Sequence, residues 1–145
     1  MIKEDLGQCL DLLEQLTTVY LETLETTNKQ EFINTFKIIS SNPDYYIFVY
    51  DLQNKNNKSK IVGMCTIFIE HKFIHNNNRV GHIEDVVVDK DHRYMGIGKK
   101  LIQKCIDVST ERDCYKVILN SNDKYIPFYT KLGFKEAGYS LRYDK

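Results

Sequence analysis

Apolar residues recur along this chain in two different periods. Leu6, Cys9, Leu10, Leu13 and Leu16 keep the three-and-four spacing of a helix face, and Phe32, Ile33, Phe36 and Ile39 repeat it. The period then shortens. Tyr45 to Asp51 and Lys60 to Glu70 are rich in Val, Ile, Phe and Tyr, and the polar stretch between them suits an antiparallel hairpin. Ile83 to Asp89 is a further strand. Ile97, Leu101, Ile102, Cys105 and Ile106 return to helical spacing, Cys114 to Leu119 is a short apolar strand, and a helix follows around Ile126 to Leu132, with Gly133 as its stop. Glu136 to Tyr143 alternates and predicts a last strand. The order is helix, helix, three strands, helix, strand, helix, strand. It predicts an α/β (α+β) domain with one mixed, mostly antiparallel sheet flanked by helices, and a parallel crossover between residues 83 and 119.

Composition changes this picture little. The 145 residues read as one domain spanning 1–145, large enough for a real core, and the polar tracts at 53–60 and 76–78 read as loops. Twenty basic and twenty acidic residues cancel, so no global field points to nucleic acid. No stretch approaches the roughly 18–20 apolar residues of a membrane span. Cys9, Cys65, Cys105 and Cys114 are scattered without a CxxC pair, which predicts reduced core thiols, no metal site and a cytoplasmic setting.

Candidate chemistry lies between Gly81 and Ile102. Arg93 to Lys100 reads RYMGIGKK, and a helix opening near Gly96 would direct unpaired amides at an anion such as a pyrophosphate. The glycines allow positive φ and close approach, with Arg93 and Lys99 adding charge at the rim. The spacing R-x-x-G-x-G is not the dinucleotide fingerprint, and Lys99 is followed by Lys100, not the Ser or Thr of a phosphate loop. Upstream, Glu84 and Asp85 interrupt an apolar strand. Period two sends them to opposite faces, so one of them faces a given cleft, and each needs a cation or polar ligand. A structural ion pair and a substrate ammonium are both open readings of the residues alone.

R-x-x-G-x-G between strand and helix resembles the acetyl-CoA motif of the GNAT N-acetyltransferases, and FYTKLGF, Phe128 to Phe134, is similar to that family's F-Y-x-x-x-G-F. KFIH (Lys72 to His75), GHIEDVVV (Gly81 to Val88), CYKVIL (Cys114 to Leu119) and LTTV (Leu16 to Val19) resemble the branch that acetylates the amine of glucosamine 6-phosphate. The likeness runs from about residue 5 to the end of the chain. It implies a sheet splayed at the acetyl-CoA site and a coenzyme held by Val86, Val88, Arg93, Tyr94, Met95, Gly96, Ile97, Gly98, Lys99 and Tyr129. It implies a sugar phosphate held by Thr17, Lys72, Phe73, Ile74, His75, Glu84, Asp85 and Arg142. Val86 N–H would face the acetyl oxygen, with a splay or bulge freeing it, and Tyr129 would serve the departing sulfur. Asp85, Glu84 through a water, or a backbone carbonyl would take the proton.

The likeness further implies a homodimer whose C-terminal strands exchange, Arg142 then reaching the partner's phosphate. Four positions depart from the pattern: Tyr94 stands for Gly, Asn120 for an acid, Tyr125 for Asn, and Arg142 is displaced by about two residues. The family's N-terminal strand has just Met1 to Lys3 to supply it. Two rival readings stand beside this one: acetylation of another amine, such as a polyamine or a peptide, and a non-catalytic acetyl-CoA-binding module.

Overall fold

The computed structural model describes residues 5–16, 28–53 and 59–144. Helices α1 (Leu6–Leu13) and α2 (Asn28–Ser41) precede strands β1 (Tyr45–Asp51) and β2 (Ile61–His71). A single turn, α3 (Ile74–Asn77), leads into β3 (Arg79–Val88), followed by α4 (Ile97–Glu111), β4 (Cys114–Leu119) and α5 (Ile126–Thr130). The strands form one sheet in the order β1-β2-β3-β4. β1–β2 and β2–β3 pair antiparallel and β3–β4 parallel, as the element order predicts.

Each sheet face has its own cluster. Val62, Cys65, Ile67, Ile69 and Ile83 pack against Ile97, Leu101, Ile102 and Cys105 of α4. On the other face Ile61, Met64 and Val87 receive Cys9 and Leu12 of α1. Burying such side chains contributes roughly 1.5–3 kcal/mol each before entropy is counted, so these contacts fix how α4 sits over β2 and β3. The cysteines are free thiols, three of them buried and Cys114 half-buried; Cys65 and Cys105 approach to 3.3 Å between sulfurs.

The C-terminal expectation needs correction. Residues 136–144 form no strand in this chain, and Tyr139, Leu141 and Tyr143 are 100%, 95% and 88% exposed. An alternating segment becomes a strand when a sheet edge receives it, and this one meets none among the described residues. The proposed first strand at Met1 to Lys3 lies outside the described residues.

The tract of asparagines is not a featureless loop. His75, Asn76 and Asn77 have φ of 52°, 59° and 58°, a left-handed turn between β2 and β3. Asn tolerates that region because its short polar side chain hydrogen-bonds locally, which gives NNN a conformational reason.

Candidate active site

The acids sit on a β-bulge. Thr66 pairs with Glu84, but the next register partners are Met64 and Val87, so Asp85 and Val86 together oppose the single Cys65. Asp85 takes φ of 52° to make the insertion. The bulge resets the alternation of β3. Before it, Ile83 points at α4; after it, Val86 and Val88 do. Glu84 shares the face of its partner Thr66, and the Asp85 carboxylate comes to 3.5 Å from the Thr66 hydroxyl. Both acids therefore serve one side of the sheet. The expectation that strict alternation separates them fails, because the extra residue removes the alternation at that point.

Burial pushes the Asp85 carboxyl above its ordinary pKa, the Thr66 hydroxyl opposing the shift. The residue as a whole is exposed. The carboxyl group leans on the buried Thr66, so its local desolvation, not the residue average, sets the direction. A carboxylate with a raised pKa is a better proton acceptor.

Beside the bulge the sheet forks. Parallel pairing of β3 with β4 ends at Ile83↔Leu119, while β3 continues to Val88. Residues 84–88 thus have no β4 partner along their second edge, and Val86 lies in this stretch. Tyr129 borders it from α5, packed edge-on against Phe128 and Phe134 with centroids 4.9 and 5.9 Å away. Burial pushes the Tyr129 phenol up, so it is a neutral donor at physiological pH.

After β3 the chain turns at Asp89 into the glycine segment. Asp89 accepts from the Asp91 amide at 3.1 Å and lies 2.6 Å from His92 Nδ1, while Gln15, just past α1, donates to its other oxygen at 3.0 Å. His92 first, then Gln15, hold its pKa down to about 2. Arg93 Nε donates to the Val88 carbonyl at 3.2 Å. Tyr94 (φ 64°) and Gly96 (φ 77°) are left-handed, and Gly96 caps α4, whose first amides are left for a ligand by helix geometry. A Cβ on Gly98 would lie 3.3 Å from Phe128, so this glycine brings the start of α4 close to α5. Lys99 is exposed, whereas Lys100 donates to the Tyr50 hydroxyl at 3.1 Å. Tyr94 and Met95 project into solvent.

The other predicted residues divide. Lys72, His75 and Arg79, the basic residues around the β2–β3 turn, each have a different partner. Lys72 is bonded to Glu70, the His75 ring lies 4.4 Å from that of Tyr115, and Arg79 donates to the Arg112 carbonyl at 2.9 Å. Phe73 and Ile74 are exposed at the left-handed turn. Arg142 pairs with Asp144 at 2.6 Å in the exposed tail. Thr17 lies outside the described residues. Thr66, Glu70 and His82 were missed by the sequence reading, although a polar Thr within MCTIFIE was a usable signal.

A bulged strand bearing two acids, a fork beside it and a left-handed glycine opening a helix lie together at the β3–α4 end of the sheet. The chain belongs to the acetyltransferase (GNAT) family, whose model matches residues 9–134. That family uses acetyl-CoA. It is similar to the glucosamine 6-phosphate N-acetyltransferase of Trypanosoma brucei brucei, 47% identical over 85 residues, 59% of this chain and 58% of that relative. That alignment thus spans under two thirds of the relative. The Candida albicans enzyme of the same name is 35% identical over 135 residues, 93% of this chain and 85% of that one. The crystal structure of glucosamine-6-phosphate N-acetyltransferase from Arabidopsis thaliana matches with a TM-score of 0.86 at 31% identity, covering 99% of this chain and 94% of that one.

Proposed function

We propose that this protein transfers the acetyl group of acetyl-CoA to the amine of glucosamine 6-phosphate, giving N-acetylglucosamine 6-phosphate and CoA. The observation that carries the reading is the bulge at Asp85–Val86, which puts two carboxylates on one side of the sheet at the point where β3 loses its β4 partner. The names of the relatives supply the substrate: they are glucosamine 6-phosphate N-acetyltransferases, and one aligns over 93% of this chain.

Acetyl-CoA brings an activated acetyl group as its thioester. The amides at the start of α4 bind the diphosphate, with Gly96 as left-handed cap and Arg93 and Lys99 at the rim. The Val86 N–H polarises the thioester carbonyl. Glu84 and Asp85 hold the amino group, and Asp85, whose carboxyl burial makes more basic than an ordinary aspartate, takes the proton. Tyr129 donates its phenolic proton to the departing sulfur. The acceleration comes chiefly from holding amine and thioester together.

Two copies act together in this reading. Tyr139, Leu141 and Tyr143 stand at strand period and are 100%, 95% and 88% exposed, an apolar edge suited to the sheet of a second copy. Exchange of that segment carries Arg142 toward the partner's sugar phosphate. No described helix is long and apolar enough to cross a membrane. The cysteines are free thiols, and on that ground we place the enzyme in the cytoplasm.

The test is release of free thiol from acetyl-CoA with glucosamine 6-phosphate, glucosamine or a polyamine as acceptor. Turnover with glucosamine 6-phosphate well above the others supports the reading. Preference for the polyamine, or tight acetyl-CoA binding without turnover on any amine, overturns it.

A further inference from the structure

On the face that carries the acids, polar side chains form a row across β2 and β3. Thr66 and Glu70 lie on that face of β2 with Phe68 between them; Thr66 pairs in register with Glu84, while Glu70 pairs with Val80 and reaches diagonally to His82, the register partner of Phe68. Glu70 joins the row together. One of its carboxylate oxygens accepts from the Lys72 ammonium, and the other lies 2.8 Å from His82 Nε2. All three side chains are about one-third exposed, at 33%, 33% and 28% for Lys72, Glu70 and His82. His82 is followed two residues later by Glu84, so the row leads from Lys72 through Glu70 and His82 to the acid pair.

We infer that Glu70 is a positioning residue for the phosphate end of the substrate, holding the Lys72 ammonium at a set place along this row from Glu84 and Asp85. The inference rests on the glucosamine 6-phosphate reading and adds how the phosphate is recognised. An ammonium has three donors; one goes to Glu70, and two stay free for phosphate oxygens. Lysine is a point charge on a flexible four-carbon stem, and ordering it on binding costs affinity. Glu70 orders it in advance. His82 on the second oxygen fixes the carboxylate plane, and the Lys72 and His82 contacts hold the Glu70 pKa below the usual carboxylate range, so the anchor is ionised. The anchor's own charge opposes a phosphate, but it is neutralised by the cation it holds.

The test is a double-mutant cycle read with two acceptors, glucosamine 6-phosphate and glucosamine. Glu70→Gln is expected to raise KM for glucosamine 6-phosphate about tenfold, leaving kcat and the KM for glucosamine within about twofold. In a Lys72→Met background the same substitution should add nothing. Glu70→Asp, which keeps the charge and shortens the reach, should raise the same KM. Melting curves accompany each variant, and a stable Glu70→Asp protein keeps the test decisive if Glu70→Gln does not fold. Equal losses with both acceptors, a lower KM for glucosamine 6-phosphate, or an effect that persists without Lys72 would overturn the inference. A wild-type enzyme indifferent to phosphate would instead remove the substrate reading itself.

Discussion

Tyr129→Phe removes one oxygen and little else. The ring keeps its edge-on contacts with Phe128 and Phe134, at interplanar angles of 70° and 74°, so folding stability should change by no more than about 0.5 kcal/mol. The catalytic loss is larger. A positioned proton donor contributes about 10²–10⁴-fold, and a thiolate is a tolerable leaving group, which sets the expectation near the lower end. About 10²-fold in kcat corresponds to about 2.7 kcal/mol of barrier. Because burial raises the phenol above its usual value of about 10, the group stays protonated through the neutral range. Its ionisation should therefore cause no loss of kcat until well into the alkaline range. The assay is thiol release under saturating substrates, with acetyl-CoA affinity by calorimetry and a melting curve in parallel. An unchanged kcat would remove Tyr129 from the chemistry. A fall in kcat matched by a fall in melting temperature would assign it to packing.

Other consequences follow from the same geometry. Gly96→Val should weaken acetyl-CoA binding measured calorimetrically and cost about 1–2 kcal/mol of stability, since a Cβ there meets no atom within 4 Å and the penalty is that of the left-handed backbone; unchanged affinity would contradict the turn's role. Asp89 has a depressed pKa, so its contribution to stability is complete above the unfolded value near 4 and is lost as pH falls through about 2. Urea unfolding across that range should show the loss in the wild type and a flatter profile in Asp89→Asn; parallel profiles would refute it. Ile83→Ala, at 1% exposure and at the last paired position of β3 with β4, should cost about 2–5 kcal/mol in the same measurement, and a cost under about 1 would show that the fork tolerates a cavity.

Much of this architecture was legible in the chain. β1 and β4 fall on the predicted boundaries because polar residues flank them and their interiors are rich in apolar and aromatic residues, Lys116 being the one charged residue inside β4. Helix α4 was visible in the spacing of Ile97, Leu101, Ile102 and Cys105, all of them buried. What was lost are features that period counting presumes absent. A bulge adds one residue to β3 and reverses which side chains face α4 beyond Asp85, and nothing in the string EDVVV marks where it falls. The left-handed turn at His75–Asn77 hides in a polar tract that reads as loop. Tyr139, Leu141 and Tyr143 carry a correct strand pattern whose outcome depends on a partner edge. The ties of Lys72 to Glu70 and of His75 to Tyr115 depend on cross-strand and inter-loop neighbours, which sequence distance does not report.

The central claim is that the bulge brings amine and thioester to one point. It is tested most directly by a crystal structure of the enzyme with CoA and glucosamine 6-phosphate both bound. The account predicts the sugar nitrogen within hydrogen-bond reach of Glu84 or Asp85, the diphosphate on the amides that follow Gly96, and the coenzyme sulfur beside the Tyr129 hydroxyl. A coenzyme seated away from the start of α4, or a sugar whose nitrogen turns from both acids, would contradict it.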